Sequence, residues 1–322
     1  MQKSKERMVT FFDLKLTAYA LADRQKYLIP PLPLDMILAK VQALKVANIC
    51  PSLKGKHETI YLADITFDVA LQRAVLLINL SDKAASDTVY SDPESAQYRV
   101  LQKIGNEGSD FSAHVVINLN PVDHAYMTLL ELTPGLSSGK VTRFLTFLFK
   151  FCAKVDSGAF KQPHPNGAVN QQGVPILVVT RHVVSLVGYP SDAFLQDIEQ
   201  GTLGIIELID KRYENLPWDT VGRTQEVVRS VKLKPGPAAG TNFDRIRDAA
   251  TRAFRDHYGE ARIHFTTASK IGRTVLLETE HLNFAQESIF VKKEKLSGFV
   301  NPLPTSHEVI HQEIVGKMLP HM

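Results

Sequence analysis

The sequence predicts an α+β protein of largely antiparallel sheets with packed helices, in two domains. Three observations carry this. Runs rich in β-branched and aromatic residues recur at 59–68, 74–80, 115–119 and 126–132, parted by turn residues, as strands of a pleated surface require. Apolar residues recur at helical spacing in Ile37, Leu38, Val41, Leu44 and again in Val141, Phe144, Leu145, Leu148. A stretch of Gly, Pro, Asn and Gln without apolar period, 157–173, parts a chain of 322 residues, which is long enough for two domains. The expected division is a domain over 1–156, a linker or mobile loop over 157–173, and a second domain over 174–322.

Taken in order, 8–16 (MVTFFDLKL) reads as a first strand. Pro30, Pro31 and Pro33 break the chain, and a helix follows from Asp35 to about Val46. The strands at 59–68 and 74–80 lead into a polar segment, 81–98, expected as an exposed loop. The strands at 115–119 and 126–132 are joined by turn chemistry between Asn118 and Asp123. Ser137 or Ser138 then caps a helix. After the linker, 174–187 is strand-like, 191–200 a short capped helix and 204–210 a strand. A break at 234–240 precedes the clearest helix of the second half, 243–258. Strands are expected at 262–266 and 274–279, around a turn at Lys270–Gly272, and another over 287–293. A last helix is expected over 306–318, where Thr305 and Glu308 have capping-box spacing.

The 44% hydrophobic and 22% charged residues are those of a globular chain. The net charge of +3 permits a nucleic-acid or anionic-lipid partner without requiring one. Cys50 and Cys152 lie far apart in apolar surroundings, without metal spacing, and read as two buried reduced thiols. Asp13 and Lys15 interrupt any apolar core of a signal peptide, and the longest apolar run, 144–152, contains Lys150 and is too short for a bilayer. A cytoplasmic location is therefore expected.

No phosphate-binding glycine loop, dinucleotide fingerprint, zinc-protease helix or nucleophile elbow is present. His307 and His311, four apart on the expected last helix, have the spacing of two metal ligands but lack a third, and read as a polar stripe. Glu278 and Glu280, with Lys292 and Lys293 downstream, have the residue types of a metal-dependent nuclease at a loose spacing. His114, on a strand, reads as a satisfied core residue or, alternatively, as a base or nucleotide contact. No resident cofactor or metal is expected.

The basic groups of the second half carry more. Arg245, Arg247, Arg252 and Arg255 share one helix, and Arg262, Lys270, Arg273, Lys292, Lys293 and Lys295 follow. Such a surface suits phosphates, whose neutralisation releases counterions and makes binding salt-dependent. The competing reading is a solvated face in which Asp244, Asp248 and Asp256 pair with these arginines.

Three strings, YMTLLELTPGLSSGKVTRFL (126–145), DRIRDAATRAFRDHYGEARIHF (244–265) and SIFVKKEKLSGFVNPLPTSHEVIHQEIVGKM (288–318), resemble in order the RexA-like phage-exclusion proteins of prokaryotic antiphage defence. The KwaB subunit of the Kiwa defence system is a more distant likeness. The longer 81–98 loop and the N-terminal portion have no counterpart in it. The resemblance implies a homodimeric DNA-binding sensor of infection that works with a separate membrane effector protein. No catalytic residue follows from it. From their charge and placement, and not from the resemblance, Arg245, Arg247, Arg252, Arg255, Lys270, Arg273, Lys292 and Lys293 are expected to contact the backbone of double-stranded DNA with little sequence preference. The rival expectations are a metal-dependent nuclease or nucleotide-acting effector using Glu278 and Glu280, and a protein-binding adaptor without nucleic acid.

Overall fold

A computed structural model describes residues 5–22, 25–68, 70–189, 191–210, 214–215, 225–226, 229–234, 236, 240–256, 258–267, 270–278 and 291–322. The fold is mixed α and β, and every pairing with a described register is antiparallel. The chain forms two compact units: 1–186 with 294–322, and 187–293. The segment 157–173 thus falls inside the first unit, and the C-terminal residues return to it.

In the first unit the elements run β1 (Arg7–Ala22), β2 (Gln25–Ile29), α1 (Leu34–Val46), β3 (Leu53–Lys54), β4 (Glu58–Asp68), β5 (Arg73–Asp82), β6 (Thr88–Asp92), β7 (Gln97–Leu101), β8 (Ser109–Asn118), β9 (Ala125–Glu131), α2 (Ser138–Val155), β10 (Lys161–Pro163) and β11 (Leu177–Gly188). In the second unit follow α3 (Asp192–Gln200), β12 (Thr202–Asp210), β13 (Glu214–Asn215), β14 (Gln225–Glu226), β15 (Arg229–Leu233), α4 (Asn242–Arg255), β16 (Glu260–Thr266) and β17 (Gly272–Glu278). The chain closes with β18 (Lys293–Leu296), α5 (Gln312–Met318) and a 3-10 turn over Leu319–His321.

A ten-stranded sheet organises the first unit in the order β10-β11-β1-β9-β8-β5-β4-β3, with β2 and β18 also paired to β1. Residues 74–80 of β5 are buried on both alternating sides, so the centre of the sheet is covered on both faces. Helix α1 packs on α2 and on β4, and α5 packs on β8. The Ser137 side chain accepts from Lys140 N at the start of α2, and Val141, Phe144, Leu145, Leu148 and Cys152 form its buried stripe. The tight turn between β8 and β9 falls at Asp123 and His124, both with positive φ (49° and 63°), inside the Val122–Ala125 bridge. Two positive-φ residues give the right-handed twist that two-residue hairpins need.

The polar segment at 81–98 is not a plain loop. It contains most of a two-stranded ribbon, β6 with β7, exposed along its length. The expected last helix is shorter than its pattern. Only 312–318 is helical, and its N-cap is His311, whose side chain accepts from Ile314 N. Residues 306–311 cross the face of the sheet instead.

The second unit is a four-stranded sheet, β15-β12-β16-β17, on which α3 and α4 pack. Phe194, Ile198, Ile206, Ile246, Ala253, Ile263 and Phe265 form its core. The expected strand at 287–293 lies outside the described residues up to 290.

Candidate functional site

The chain's most unusual chemistry is a polar stripe across the otherwise apolar face of the large sheet. Register aligns it. His114 on β8 is opposite Leu77 on β5, Ser112 is opposite Asn79, and Asn79 is opposite Tyr61 on β4. The same face carries Glu131 on β9 and Arg7 on β1. Side chains two residues apart on a strand share a face, so a period-two run of polar residues, Asp110, Ser112 and His114, is needed to build the stripe.

At one end the stripe is a buried ionic chain. Arg7, His114 and Glu131 are 2%, 0% and 1% exposed. Arg7 Nε lies 2.9 Å from Glu131 Oε1, and His114 Nδ1 lies 2.7 Å from Glu131 Oε2. His311 N donates to His114 Nε2 (3.0 Å), which places the His114 proton on Nδ1, facing the carboxylate. Burial lowers the Arg7 pKa, against the opposing pull of Glu131. The Arg7 guanidinium also donates to Pro304 O at 2.7 Å. This buried network answers the question His114 raises: it is a core residue that pins the C-terminal segment, not a group presented to a ligand.

At the other end the stripe opens into a cleft of about 790 Å³, lined among others by Tyr61, Asn79, Asp110, Ser306 and His307. Asp110 Oδ2 accepts from Tyr61 (3.1 Å), from Asn79 Nδ2 (3.0 Å) and from the Ser306 hydroxyl. Asn79 Nδ2 also donates to His307 O at 3.0 Å. His307 N donates to Ser112 Oγ (2.6 Å), and Ser112 N to Thr305 O (3.0 Å). Burial pushes the His307 imidazole down to about 4, helped by the neighbouring His114 and His311, so it is neutral near pH 7. Burial raises the Tyr61 phenol. Among the described residues, Asn79 Oδ1, Asp110 Oδ1 and His307 Nε2 are buried without a hydrogen-bond partner. Each such atom costs about 1–3 kcal/mol unless something outside the chain satisfies it. Among the described residues neither Ser112 nor Ser306 hydrogen-bonds a histidine ring nitrogen.

The expected basic residues lie elsewhere. Arg252 and Arg255 are exposed in the last turn of α4. Lys270 is exposed in the turn before β17 and Arg273 on β17 itself. Arg245 is half-buried and engaged, and Arg262 is held by Glu207 at 2.8 Å. Lys292 and Lys293 are half-buried. The side chains of Arg247 and Glu278, and the whole of Glu280, lie outside the described residues. Among the described residues no ion pair engages Arg252, Arg255, Lys270 or Arg273. Asp244, one of the candidate partners, accepts from Thr241 Oγ1 at 2.8 Å in the first turn of α4.

No group of three or more His, Cys, Asp or Glu among the described residues could hold a metal ion. The His307 and His311 rings do meet, tilted by 59° with centroids 4.9 Å apart, but off the helix that their spacing suggested. Cys152 is buried and its thiol is pushed up to about 12 by desolvation, whereas Cys50 is only half-buried; both are free. No helix among the described residues is long and apolar enough to cross a membrane.

Asn79 is a lone amide in the apolar run AVLLINL, and Asp110 and Ser112 interrupt an apolar strand at period two. Those are the signals by which this cleft could have been found in the sequence. Compared with family models and with curated proteins, the chain matches none.

Proposed function

We propose that the chain binds the backbone of double-stranded DNA through its second unit, as the homodimeric sensor subunit of an antiphage defence system whose response is executed by a separate membrane protein. One observation favours this over the solvated-face reading: among the described residues Arg252 and Arg255 are exposed and in no ion pair, although Asp256 stands within about one turn of both. Exposed cations without counter-charges on the protein are available to phosphates, and a long-stemmed guanidinium can reach a phosphate in two-point geometry. Lys270 and Arg273, on the hairpin of β16 and β17, add two more such charges. The sensor role rests on the resemblance to RexA-like proteins.

The test is a titration of labelled duplex DNA over a salt series, with magnesium present and absent, followed by analysis for cleavage. Wild-type protein should bind without cleaving and weaken steeply as salt rises. The double substitution Arg252→Glu with Arg255→Glu should weaken binding by about tenfold or more and flatten the salt slope by about two, one for each phosphate no longer neutralised. Unchanged affinity in that variant overturns the assignment. Cleavage that needs magnesium selects a nuclease, and no binding at low salt selects a protein-binding adaptor.

A further inference from the structure

A further cleft of the first unit, of about 540 Å³, lies between α2 and β11, apart from the polar stripe. The strand is tied to the helix where Val184 N donates to Thr146 Oγ1 at 3.0 Å. On its way there β11 pairs with β10 at 177–179, and Thr180 N donates to Phe160 O at 2.7 Å. Phe147, Lys150, Phe151 and Lys154 recur at three- and four-residue spacing and so share one face of α2. Val179 and Arg181, two apart, share one face of β11. All of these side chains line the cleft.

The lining divides by chemistry. Phe147, Phe151 and Val179 are half-buried and form an apolar floor. Lys150, Lys154 and Arg181 are exposed and supply three cations. Their hydrocarbon stems can lie along the apolar surface while the charged heads stay in water. Among the described residues no ion pair engages these cations, and no carboxylate lines the cleft. Asp156, two residues beyond Lys154, is held by Lys40 at 2.7 Å. A cleft lined by charge of one sign concentrates ligands of the other sign.

The floor selects the body that accompanies the anion. Among the described residues Ser157 is the sole neutral polar side chain of the lining. The base edge and sugar hydroxyls of a nucleotide would lose water there without finding partners, whereas a hydrocarbon chain has nothing polar to lose. We propose that this cleft binds a fatty acid, its chain on Phe147, Phe151 and Val179 and its carboxylate on Lys150, Lys154 and Arg181. A guanidinium takes a carboxylate in two-point geometry. The volume lies within the range of small-molecule sites. The site shares no residue with the basic groups proposed to contact DNA.

The experiment is calorimetric titration of the full chain with decanoate, octanoate, acetate, decyltrimethylammonium and adenosine monophosphate. Decanoate should bind with a Kd of about 1 mM or tighter. Octanoate should bind about threefold or more weakly, because it buries a shorter chain. Acetate has only the head group, and decyltrimethylammonium carries the same chain on a cation; neither should bind. Lys154→Gln with Arg181→Gln should lose about tenfold or more of the decanoate affinity. Arg143→Gln, on α2 but outside the cleft, should retain it. No binding of decanoate, equal binding of octanoate or of decyltrimethylammonium, unchanged affinity in the double variant, or tighter binding of adenosine monophosphate than of decanoate overturns the proposal. The comparisons between ligands use the wild-type chain and so stand even if a variant fails to fold.

Discussion

Arg7, His114 and Glu131 show why a buried ion pair is better judged by what its removal leaves behind than by its own strength. Glu131 neutralises Arg7 and orients His114, and all three are within 2% of full burial. Bringing two charges out of water consumes most of what their attraction returns, but deleting one leaves the other buried and uncompensated. Glu131→Ala should therefore destabilise the chain by about 3–5 kcal/mol, read from the midpoint of denaturant unfolding. Replacing Arg7 with Met in the same chain should recover part of that stability, because the stranded charge is gone. A double variant no more stable than Glu131→Ala would show that packing, not charge, sets the cost. None of this was legible in the sequence, where Arg7 reads as one of several N-terminal basic residues and Glu131 as the end of a strand.

At the scale of elements, the contest is between local helix signals and long-range hydrogen bonds. Thr305 and Glu308 have capping-box spacing, yet Thr305 O, His307 N, Ile310 N and His311 N are taken by Ser112 N, Ser112 Oγ, Asp64 Oδ2 and His114 Nε2. Partners fixed on a rigid sheet outcompete a cap worth about 1 kcal/mol. Asp64 can reach Ile310 because the register of β4 against β5 shifts between Leu62 and Asp64. Asp64→Ala should cost about 1 kcal/mol and speed amide exchange at Ile310 by roughly fivefold. Equal protection at Ile310 in the variant would show that its amide is secured by packing alone. Helices α1, α2 and α3, by contrast, follow their apolar period and their flanking breaks or caps, because there local and tertiary preferences agree.

For the whole molecule, two desolvated histidines, one buried and one half-buried, link stability to pH. His182 on β11 is 0% exposed, accepts from Leu32 N at 3.0 Å, and is pushed down to about 4 by burial; His307 is likewise near 4. Both groups bind protons more tightly in the unfolded chain, where a histidine titrates near about 6.5. Their contribution is therefore complete above about pH 6.5 and is lost as pH falls towards about 4. The thermal midpoint should drop by about 5 °C or more between about pH 7.5 and about pH 5. His182→Gln should flatten that decline. A midpoint that stays level, or an undiminished slope in the variant, would place the acid sensitivity elsewhere.

The mixed α and β class with antiparallel sheets, the strands at 59–68, 74–80, 115–119 and 126–132, a serine cap at 137 or 138, and the apolar stripes of α1 and α2 were decided by the sequence alone. Periodicity and capping act within one or two turns of chain, so they are written locally. The polar stripe, the extended course of 306–311, the ribbon at 88–101 and the cleft around Asp110 were decided only by tertiary structure. The ribbon pairs residues at most 13 positions apart, but the others join residues about two hundred or more positions apart, as in the bond from His311 N to His114 Nε2. No local pattern specifies which buried donor will meet which acceptor. That choice is made when strand register and packing bring the partners together in a medium where leaving either unpaired is costly.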